Sequence, residues 1–204
     1  MESSIIDEAL TSPPDRVLVR VGNLDVTRKE LDTLDGANWL SDVILNSHMS
    51  LIVKRSKESP ELPMVHAFDT FFLQAYEING YDAVCQWIGE VDVLAQELLL
   101  FPVHRDDHWA LALVYFRSKE IKYMDSLGRR NQGCLNMVVD YIGQELERRE
   151  GCALNYDEWQ LQHVEDLPQQ SNGFDCGVFA LKYADCVAQD ACINFRPNHA
   201  DRIW

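Results

Sequence analysis

Basic residues are scarce in this sequence. Its 204 residues include 18 lysines and arginines against 33 aspartates and glutamates, which gives a formal net charge of −15. A protein that binds DNA or RNA through its phosphates needs a basic face. The charge therefore predicts that nucleic acid is not a partner, and it argues equally against docking on an anionic membrane.

The spacings typical of metal sites and disulfide frameworks are also absent. No two of the six cysteines form a C-x-x-C pair, and no pair of histidines lies near them at ligand spacing. A chain of this length buries a core without disulfides. We therefore expect no metal site, and reduced, buried thiols for five of the six cysteines. The six are Cys85, Cys134, Cys152, Cys176, Cys186 and Cys192.

Long apolar runs are missing as well. No run approaches the ~20 residues that a membrane helix requires, so we expect no membrane insertion. Residues 1–10 lack a basic region and an apolar core, so they do not predict a signal peptide, and an intracellular protein is expected. The polar residues 1–16 predict a flexible N-terminal arm, and residues 17–204 predict a single domain, with a monomer as the expected state.

The hydrophobic pattern predicts helices around a cluster of short strands. Thr27 and Glu30 are spaced as in a capping box, and the apolar run 109–116 is typical of a central strand buried on both faces. The charged segment 54–63, with two prolines, predicts a loop. Predicted helices cover 28–31, 40–53, 67–78, 135–149 and 176–187, and predicted strands cover 16–21, 98–103, 109–116, 120–124 and 159–164. This order predicts an α+β domain.

One cysteine differs from the other five in its surroundings. Cys176 lies between Asp175 and Gly177, where a polar loop meets an apolar helical segment. A thiol attacks as its thiolate, and a helix N-terminus together with an imidazolium favours that form. The pattern predicts a nucleophile, although a cysteine taken alone is more often an inert core residue. The Asp175 carboxylate opposes ionisation of the thiol, so it must point away or be neutralised.

Two residues at strand ends supply a base and its partner. His108 precedes the apolar run, and Asp125 closes the next predicted strand. Adjacent strands bring such residues to neighbouring positions, so Asp125 can hold the imidazole in one tautomer. His104 is the rival base, and an exposed loop histidine and a turn aspartate are the alternative interpretations.

An amide donor for an oxyanion lies six residues before the cysteine, at Gln170. Its side chain and the backbone N–H of Cys176 can form an oxyanion hole, with Gln169 as the alternative donor. Trp39 and Trp109 can wall a narrow slot for a substrate with small residues. For a tryptophan taken alone, packing in the core is the commoner outcome.

These residues and their order resemble the catalytic domain of the sentrin/SUMO-specific proteases, in the ubiquitin-like-protein protease family of cysteine peptidases. The resemblance spans about residues 17–195. It rests on the segments 23–29, 39–46, 66–72, 108–109, 123–127 and 168–179. It implies a papain-like α+β fold, with a central mixed or antiparallel sheet flanked by helices.

The resemblance also implies roles for individual residues. Cys176 matches the nucleophile, His108 the base, Asp125 the residue that orients it, and Gln170 the oxyanion donor. Trp39 and Trp109 match tryptophans that cover a tunnel for the modifier's C-terminal Gly-Gly. Asp42 matches an acidic contact to the modifier, and Phe68 matches part of a surface that faces it.

The implied function is cleavage after the C-terminal Gly-Gly of a SUMO-like modifier, in its precursor, in its conjugates, or in both. No cofactor is needed, and a nuclear or nuclear-envelope location is implied, with the cytoplasm as the alternative. The alternatives are a protease for another ubiquitin-like modifier, a non-catalytic protein that binds the modifier, and an acyltransferase with the same triad.

Overall fold

The computed structural model describes Ala9 and residues 11–195. Within that part the helices are α1 (Arg28–Asp32), α2 (Asp42–Glu58), α3 (Phe72–Asn79), α4 (Tyr81–Val84), α5 (Gln132–Glu150) and α6 (Cys176–Ala188), with a 3-10 turn at Tyr156–Glu158. The strands are β1 (Val17–Val21), β2 (Leu24–Thr27), β3 (Val65–Ala67), β4 (Leu98–Arg105), β5 (His108–Tyr115), β6 (Glu120–Met124) and β7 (Gln160–His163). Most of the predicted N-terminal arm lies outside the described residues, so the domain boundary at residue 17 stays a prediction.

A five-stranded mixed sheet in the order β3-β4-β5-β6-β7 forms the centre of the fold. The three middle strands run antiparallel, and the two edge strands β3 and β7 pair in parallel with their neighbours. Strands β1 and β2 form a separate antiparallel hairpin. The predicted α+β class is therefore confirmed, with the sheet flanked by helices.

The central strands are apolar on both faces because each face has its own core. Leu111 and Leu113 of β5 pack with α2 and α6, whereas Ala110, Ala112 and Val114 pack with α3 and α5. Alternate residues of a strand point to opposite faces of the sheet, so one apolar run contributes side chains to both cores. This arrangement places the N-terminus of α6 beside the ends of β5 and β6, where the candidate site lies.

Helix α2 is longer than the sequence predicted. It begins at Asp42, with Ser41 as the N-cap residue, and it continues through most of the charged segment to Glu58. Lys54 and Glu58 are spaced i,i+4, and basic residues occupy the last turn, where they favour a helix C-terminus. The loop predicted for 54–63 is therefore wrong in its first half, and the helix ends just before Pro60.

The predicted helix 67–78 is wrong in its first five residues. Residues Val65–Ala67 form β3, which pairs in parallel with Leu98–Leu100, and the helix begins only at Phe72. In a short apolar segment, periodicity alone does not distinguish a strand from a helix. The pairing with β4 therefore decides that this segment is a strand. Strand β2 and the short helix α4 were not predicted.

Candidate active site

His108 and Asp125 meet at one end of the central sheet. Asp125 follows Met124, which pairs with Leu111 of the neighbouring strand, so the two residues lie at the same end of the β5–β6 pair. His108 Nε2 lies 2.9 Å from Asp125 Oδ2, and both side chains are buried. The amide of Leu127 donates to the other carboxylate oxygen at 2.7 Å, which fixes the Asp125 rotamer.

The pKa values of this pair move apart. Hydrogen bonds to Asp125 and then to Cys176 raise the pKa of His108 to about 9, against the opposing effect of burial. Burial alone raises the pKa of the Asp125 carboxyl, but the hydrogen bonds from His108 and Leu127 outweigh burial and hold it below its ordinary value. The pair therefore favours an imidazolium beside a carboxylate.

Cys176 is the first residue of α6 and is 2% exposed. The thiol lies close enough to His108 to contribute to the raised pKa of that imidazole, so the ring faces both the thiol and Asp125. The first amides of a helix have no acceptor within the helix, and they point toward the N-terminus. The sequence prediction placed Cys176, His108 and Asp125 together, and the structure brings the three side chains to one place, with His108 hydrogen-bonded to Asp125.

The rival base and the rival donor lie elsewhere. His104 is exposed, and its ring packs against Trp109 with 4.4 Å between centroids. Gln169 is exposed, and its amide lies near Gly128. The geometry favours His108 over His104 and Gln170 over Gln169.

Asn172 organises the loop that enters α6, and sequence reasoning missed it. Its Oδ1 accepts from the amides of Phe174 and Asp175, both at 3.0 Å. Its Nδ2 donates to Asp175 Oδ2 at 2.6 Å, so the carboxylate beside the thiol is hydrogen-bonded. An asparagine that bonds the backbone two residues ahead is a common loop signal, and it was available in the sequence.

Gln170 is buried beside this loop, 9% exposed. Its side-chain amide donates from Nε2 to the carbonyl of Asn172 at 2.7 Å, and its Oε1 accepts from the Ser126 hydroxyl at 2.5 Å. A primary amide carries two N–H donors, so one of them remains for another acceptor. Ser126 is a second residue that the sequence did not single out, because this contact spans 44 residues.

The two tryptophans are both tied to the segment around Leu40. Trp39 is 52% exposed and donates from Nε1 to the carbonyl of Gly173 at 2.9 Å. Trp109 is only 6% exposed and donates to the carbonyl of Leu40 at 3.1 Å. Trp39 therefore presents an open ring above the loop before Cys176, whereas Trp109 is a buried wall beneath it.

Asp42 and Phe68 have different surroundings. Asp42 opens α2 and is partly exposed, so its carboxylate both favours the helix N-terminus and stays accessible. Phe68 is 3% exposed and stacks on Phe101 with centroids 4.1 Å apart. The expected surface position of Phe68 is corrected: its ring completes the aromatic core between the sheet and α5, and Phe71 is the exposed aromatic nearby.

The described part of the chain contains neither a cluster of metal ligands nor a helix that could span a membrane. Among residues 9 and 11–195, no group of three histidine, cysteine or acidic side chains is arranged to hold a metal ion. No helix within those residues has the length and hydropathy to cross a membrane. All six cysteines are free thiols, but of the five that were expected to be buried only Cys134 is, whereas Cys152 and Cys192 are exposed.

Comparison with known sequences identifies relatives across most of the chain. Residues 38–204 match the model of the Ulp1 protease family, C-terminal catalytic domain. Sentrin-specific protease 2 of Mus musculus is 38% identical over 197 residues, 96% of this chain and 33% of that protein. A sentrin-specific protease of Caenorhabditis elegans is 34% identical over 176 residues, 86% of this chain and 25% of that protein. The chain spans about a third or less of the length of these curated relatives.

Comparison with solved structures gives the same result for the fold. The C-terminal Ulp1 protease domain in complex with SMT3, the yeast ortholog of SUMO, matches with a TM-score of 0.82 and 26% identity, over 98% of this chain and 88% of that one. A SUMO protease Ulp1 whose catalytic cysteine is oxidised to a sulfinic acid matches with the same score and identity, over 99% and 89%. These matches confirm the predicted fold.

Proposed function

Because this chain belongs to the Ulp1 protease family, we propose that it is a cysteine protease that cleaves after the C-terminal Gly-Gly of a SUMO-like modifier. It acts on the modifier precursor, on isopeptide bonds to substrate lysines, or on both. The observation that carries the proposal is the row Cys176–His108–Asp125 at the N-terminus of α6. A buried imidazole that is hydrogen-bonded to a carboxylate and lies beside a thiol is the arrangement that activates a sulfur nucleophile.

In the first half of the proposed reaction, His108 holds the Cys176 proton as an imidazolium, and the thiolate sulfur attacks the carbonyl carbon of the terminal glycine. The carbonyl oxygen becomes an oxyanion, which accepts hydrogen bonds from the Cys176 amide and the free N–H of Gln170. The tetrahedral intermediate collapses, the C–N bond breaks, and His108 gives its proton to the departing amine. A thioester between the glycine and Cys176 remains.

In the second half, a water molecule gives a proton to His108 and attacks the thioester carbonyl. The same donors stabilise the second oxyanion. The C–S bond breaks, the modifier leaves as a carboxylic acid that ionises in water, and His108 keeps its proton beside the Cys176 thiolate. Asp125 keeps the imidazole oriented throughout and stabilises its charged form.

The preference for glycine is attributed to the two tryptophans. Trp39 spans the loop before Cys176 through its bond to Gly173, and Trp109 is fixed below through Leu40. A substrate chain that reaches the sulfur must pass close to these rings, and a side chain on it would clash. Such exclusion gives specificity without requiring additional attractive contacts. Asp42, partly exposed on α2, is proposed as a contact to the modifier body.

The test is incubation of the folded protein with SUMO that carries a C-terminal propargyl amide, in parallel with the ubiquitin equivalent, followed by intact mass and peptide mapping. We expect one adduct, on Cys176, with SUMO. Cys176→Ala should form no adduct yet retain SUMO in a pull-down, and Cys85→Ala is the matched control that should react fully.

Each other result has a defined meaning. An adduct with ubiquitin instead of SUMO keeps the protease and reassigns its modifier. No adduct with any probe, together with retained SUMO binding, would support a non-catalytic modifier-binding protein instead. Acyl transfer from acetyl-coenzyme A onto Cys176 would support the acyltransferase alternative.

The location in the cell belongs to the same proposal. We place the protein inside the cell at the nucleus or nuclear envelope, where the resemblance puts it. A tagged copy of the full-length protein, imaged in its own cell type, should overlap with the nuclear stain. Uniform cytoplasmic signal would contradict this placement.

A further inference from the structure

Ser126 connects the two halves of the site. It directly follows Asp125, is 1% exposed, and makes two hydrogen bonds to Gln170. Its carbonyl accepts from the Gln170 amide at 3.0 Å, and its hydroxyl lies 2.5 Å from Gln170 Oε1. The residue that follows the orienting carboxylate thus holds both the backbone and the side chain of the amide donor.

The hydroxyl bond has a defined polarity. Ser126 meets Gln170 at Oε1, which only accepts, so the serine must donate. On its other side, Gln170 Nε2 donates to the carbonyl of Asn172 at 2.7 Å. A flipped amide would bring Oε1 against that carbonyl, so the two contacts together select one orientation. That orientation leaves one N–H of Nε2 unused by these two partners.

The Asn172 contact is itself fixed. Asn172 is held by its own bonds to Phe174 and Asp175, so its carbonyl is a rigid acceptor. One rigid acceptor restrains only the nitrogen end of the amide. The oxygen end is restrained by Ser126, so the two contacts together hold both ends of the amide.

From this geometry we propose that Ser126 is a positioning residue, which orients the Gln170 side-chain amide so that its second N–H faces the developing oxyanion. The inference rests on the proposed function and extends it to a residue that does not touch the substrate. Preorganised donors stabilise a transition state without reorganising during the reaction, so loss of orientation lowers the rate of the chemical step.

Ser126→Ala removes the hydroxyl but keeps the backbone bond from Gln170 to the residue 126 carbonyl. A tenfold loss of rate corresponds to about 1.4 kcal/mol, the upper end of what a single hydrogen bond contributes. We expect the single-turnover cleavage rate of SUMO–aminomethylcoumarin to fall about tenfold, with KM unchanged. Gln170→Ala should cost about a hundredfold or more.

A double-mutant cycle separates positioning from general damage. In the Gln170→Ala background, Ser126→Ala should have no further effect on the rate, because the group that it positions is gone. A second tenfold loss there would overturn the proposal. The pH midpoints of the Ser126→Ala rate should match those of the wild type, and a shifted midpoint would show action through Asp125 and overturn it as well.

Matched variants control for stability. Ser56 is another buried serine whose hydroxyl bonds backbone, to Pro63 and Val65, at the far end of α2. Ser56→Ala should lower the melting temperature by a similar amount and leave the cleavage rate unchanged. Ser126→Thr keeps the hydroxyl and should restore the rate; where the added methyl lowers the melting temperature, Ser126→Cys, a weak donor, should give an intermediate rate.

A final measurement does not depend on activity. The Gln170 side-chain NH2 signal, assigned by its loss in Gln170→Ala, should show a rigid ¹⁵N order parameter in the wild type and a clearly lower one in Ser126→Ala. An unchanged order parameter would overturn the positioning role. If the wild type cleaves no SUMO substrate, the proposed function fails, and this measurement alone decides whether Ser126 orients the amide.

Discussion

At the scale of single residues, the hydrogen bond between His108 and Asp125 links the stability of the fold to pH. His108 has its pKa raised from 6.5 to about 9. In the unfolded chain the imidazole titrates near 6.5, so folding takes up a proton between these values. This group's contribution to the free energy of unfolding is therefore fully present below about pH 6.5 and is lost as the pH rises through about 9.

We predict that His108→Gln lowers the free energy of unfolding more at pH 6 than at pH 10. Urea unfolding of both proteins at pH 6, 8 and 10 measures the difference. His104→Gln, at an exposed histidine of the neighbouring strand, is the matched control. A loss that stays constant or grows with pH would contradict the assignment of the raised pKa to the folded state.

Phe68 illustrates how burial decides the role of an aromatic residue. Its ring contacts Phe72, Phe101 and Tyr141 in the core beneath α5. We predict that Phe68→Ala lowers the free energy of unfolding by about 3–5 kcal/mol, the usual cost of removing a buried aromatic ring. Phe71→Ala, at a half-exposed ring two residues from the Asp69 turn, should cost under about 1 kcal/mol.

Chemical denaturation measures both Phe variants, and calorimetric titration of SUMO into their Cys176→Ala forms measures binding. At a temperature where Phe68→Ala remains folded, its SUMO affinity should be unchanged. A stable Phe68→Ala protein with weakened SUMO affinity would restore the surface role that the resemblance implied.

At the scale of elements, the start of α6 packs directly against the segment that carries Trp39. A Cβ placed on Gly177 would lie 2.9 Å from Leu40 Cβ, closer than the packing permits. Leu40 also accepts the Trp109 indole bond, and the next residue but one begins α2. The absence of a side chain at Gly177 therefore lets three elements meet beside Cys176.

We predict that Gly177→Ala destabilises the fold by about 1–3 kcal/mol, although alanine is the better helix former. The displaced Leu40 should shift Trp39, so SUMO affinity should fall as well. Gly173→Ala is the matched control, since a Cβ there meets nothing within 4 Å. Melting temperature and SUMO titration measure both variants, and equal effects at the two glycines would rule out the clash with Leu40.

At the scale of the whole molecule, the acidic excess coexists with a few basic residues that are already paired. Arg28 pairs with Asp32 on α1, and Arg55 of α2 pairs with Asp185 of α6 at 2.8 Å. These partners reduce the local positive potential on that side. The net charge of −15 therefore governs the long-range electrostatic interaction of the protein with charged partners more than any of these arginines does.

One buried carboxylate joins distant parts of the molecule. Glu145 of α5 is 0% exposed and accepts hydrogen bonds from Arg148, Arg149 and the Tyr81 hydroxyl. Arg149 in turn donates to the carbonyl of Val91 at 2.8 Å. The network fixes the segment between α4 and β4 onto the layer of the fold opposite α6.

We predict that Glu145→Gln lowers the free energy of unfolding by about 2 kcal/mol. This is below the 3–5 kcal/mol of a fully buried pair, because both arginines remain partly exposed. Glu147→Ala, an exposed neighbour on the same helix, should be nearly neutral. Labelling of Cys176 by the SUMO probe should keep its rate in both variants, and a slowed rate in folded Glu145→Gln would show coupling between the two layers.

The sequence alone was sufficient to predict the features that depend on residues close together in the chain. The cap at Thr27, the apolar central strand, the amphipathic helix α5 and the cysteine at the start of α6 are all written in short segments, because local hydrogen bonding and side-chain periodicity set them. The α+β class followed from the order of these elements.

Only the tertiary structure decided what depends on residues far apart in the chain. Parallel pairing with β4 made a strand of Val65–Ala67, and stacking on Phe101 buried Phe68. The hydrogen bond from Ser126 to Gln170 joins residues that are 44 positions apart in the sequence, so no local pattern predicts it. Sheet register and core packing are fixed by partners that local sequence does not contain, and the orientation of the candidate oxyanion donor depends on both.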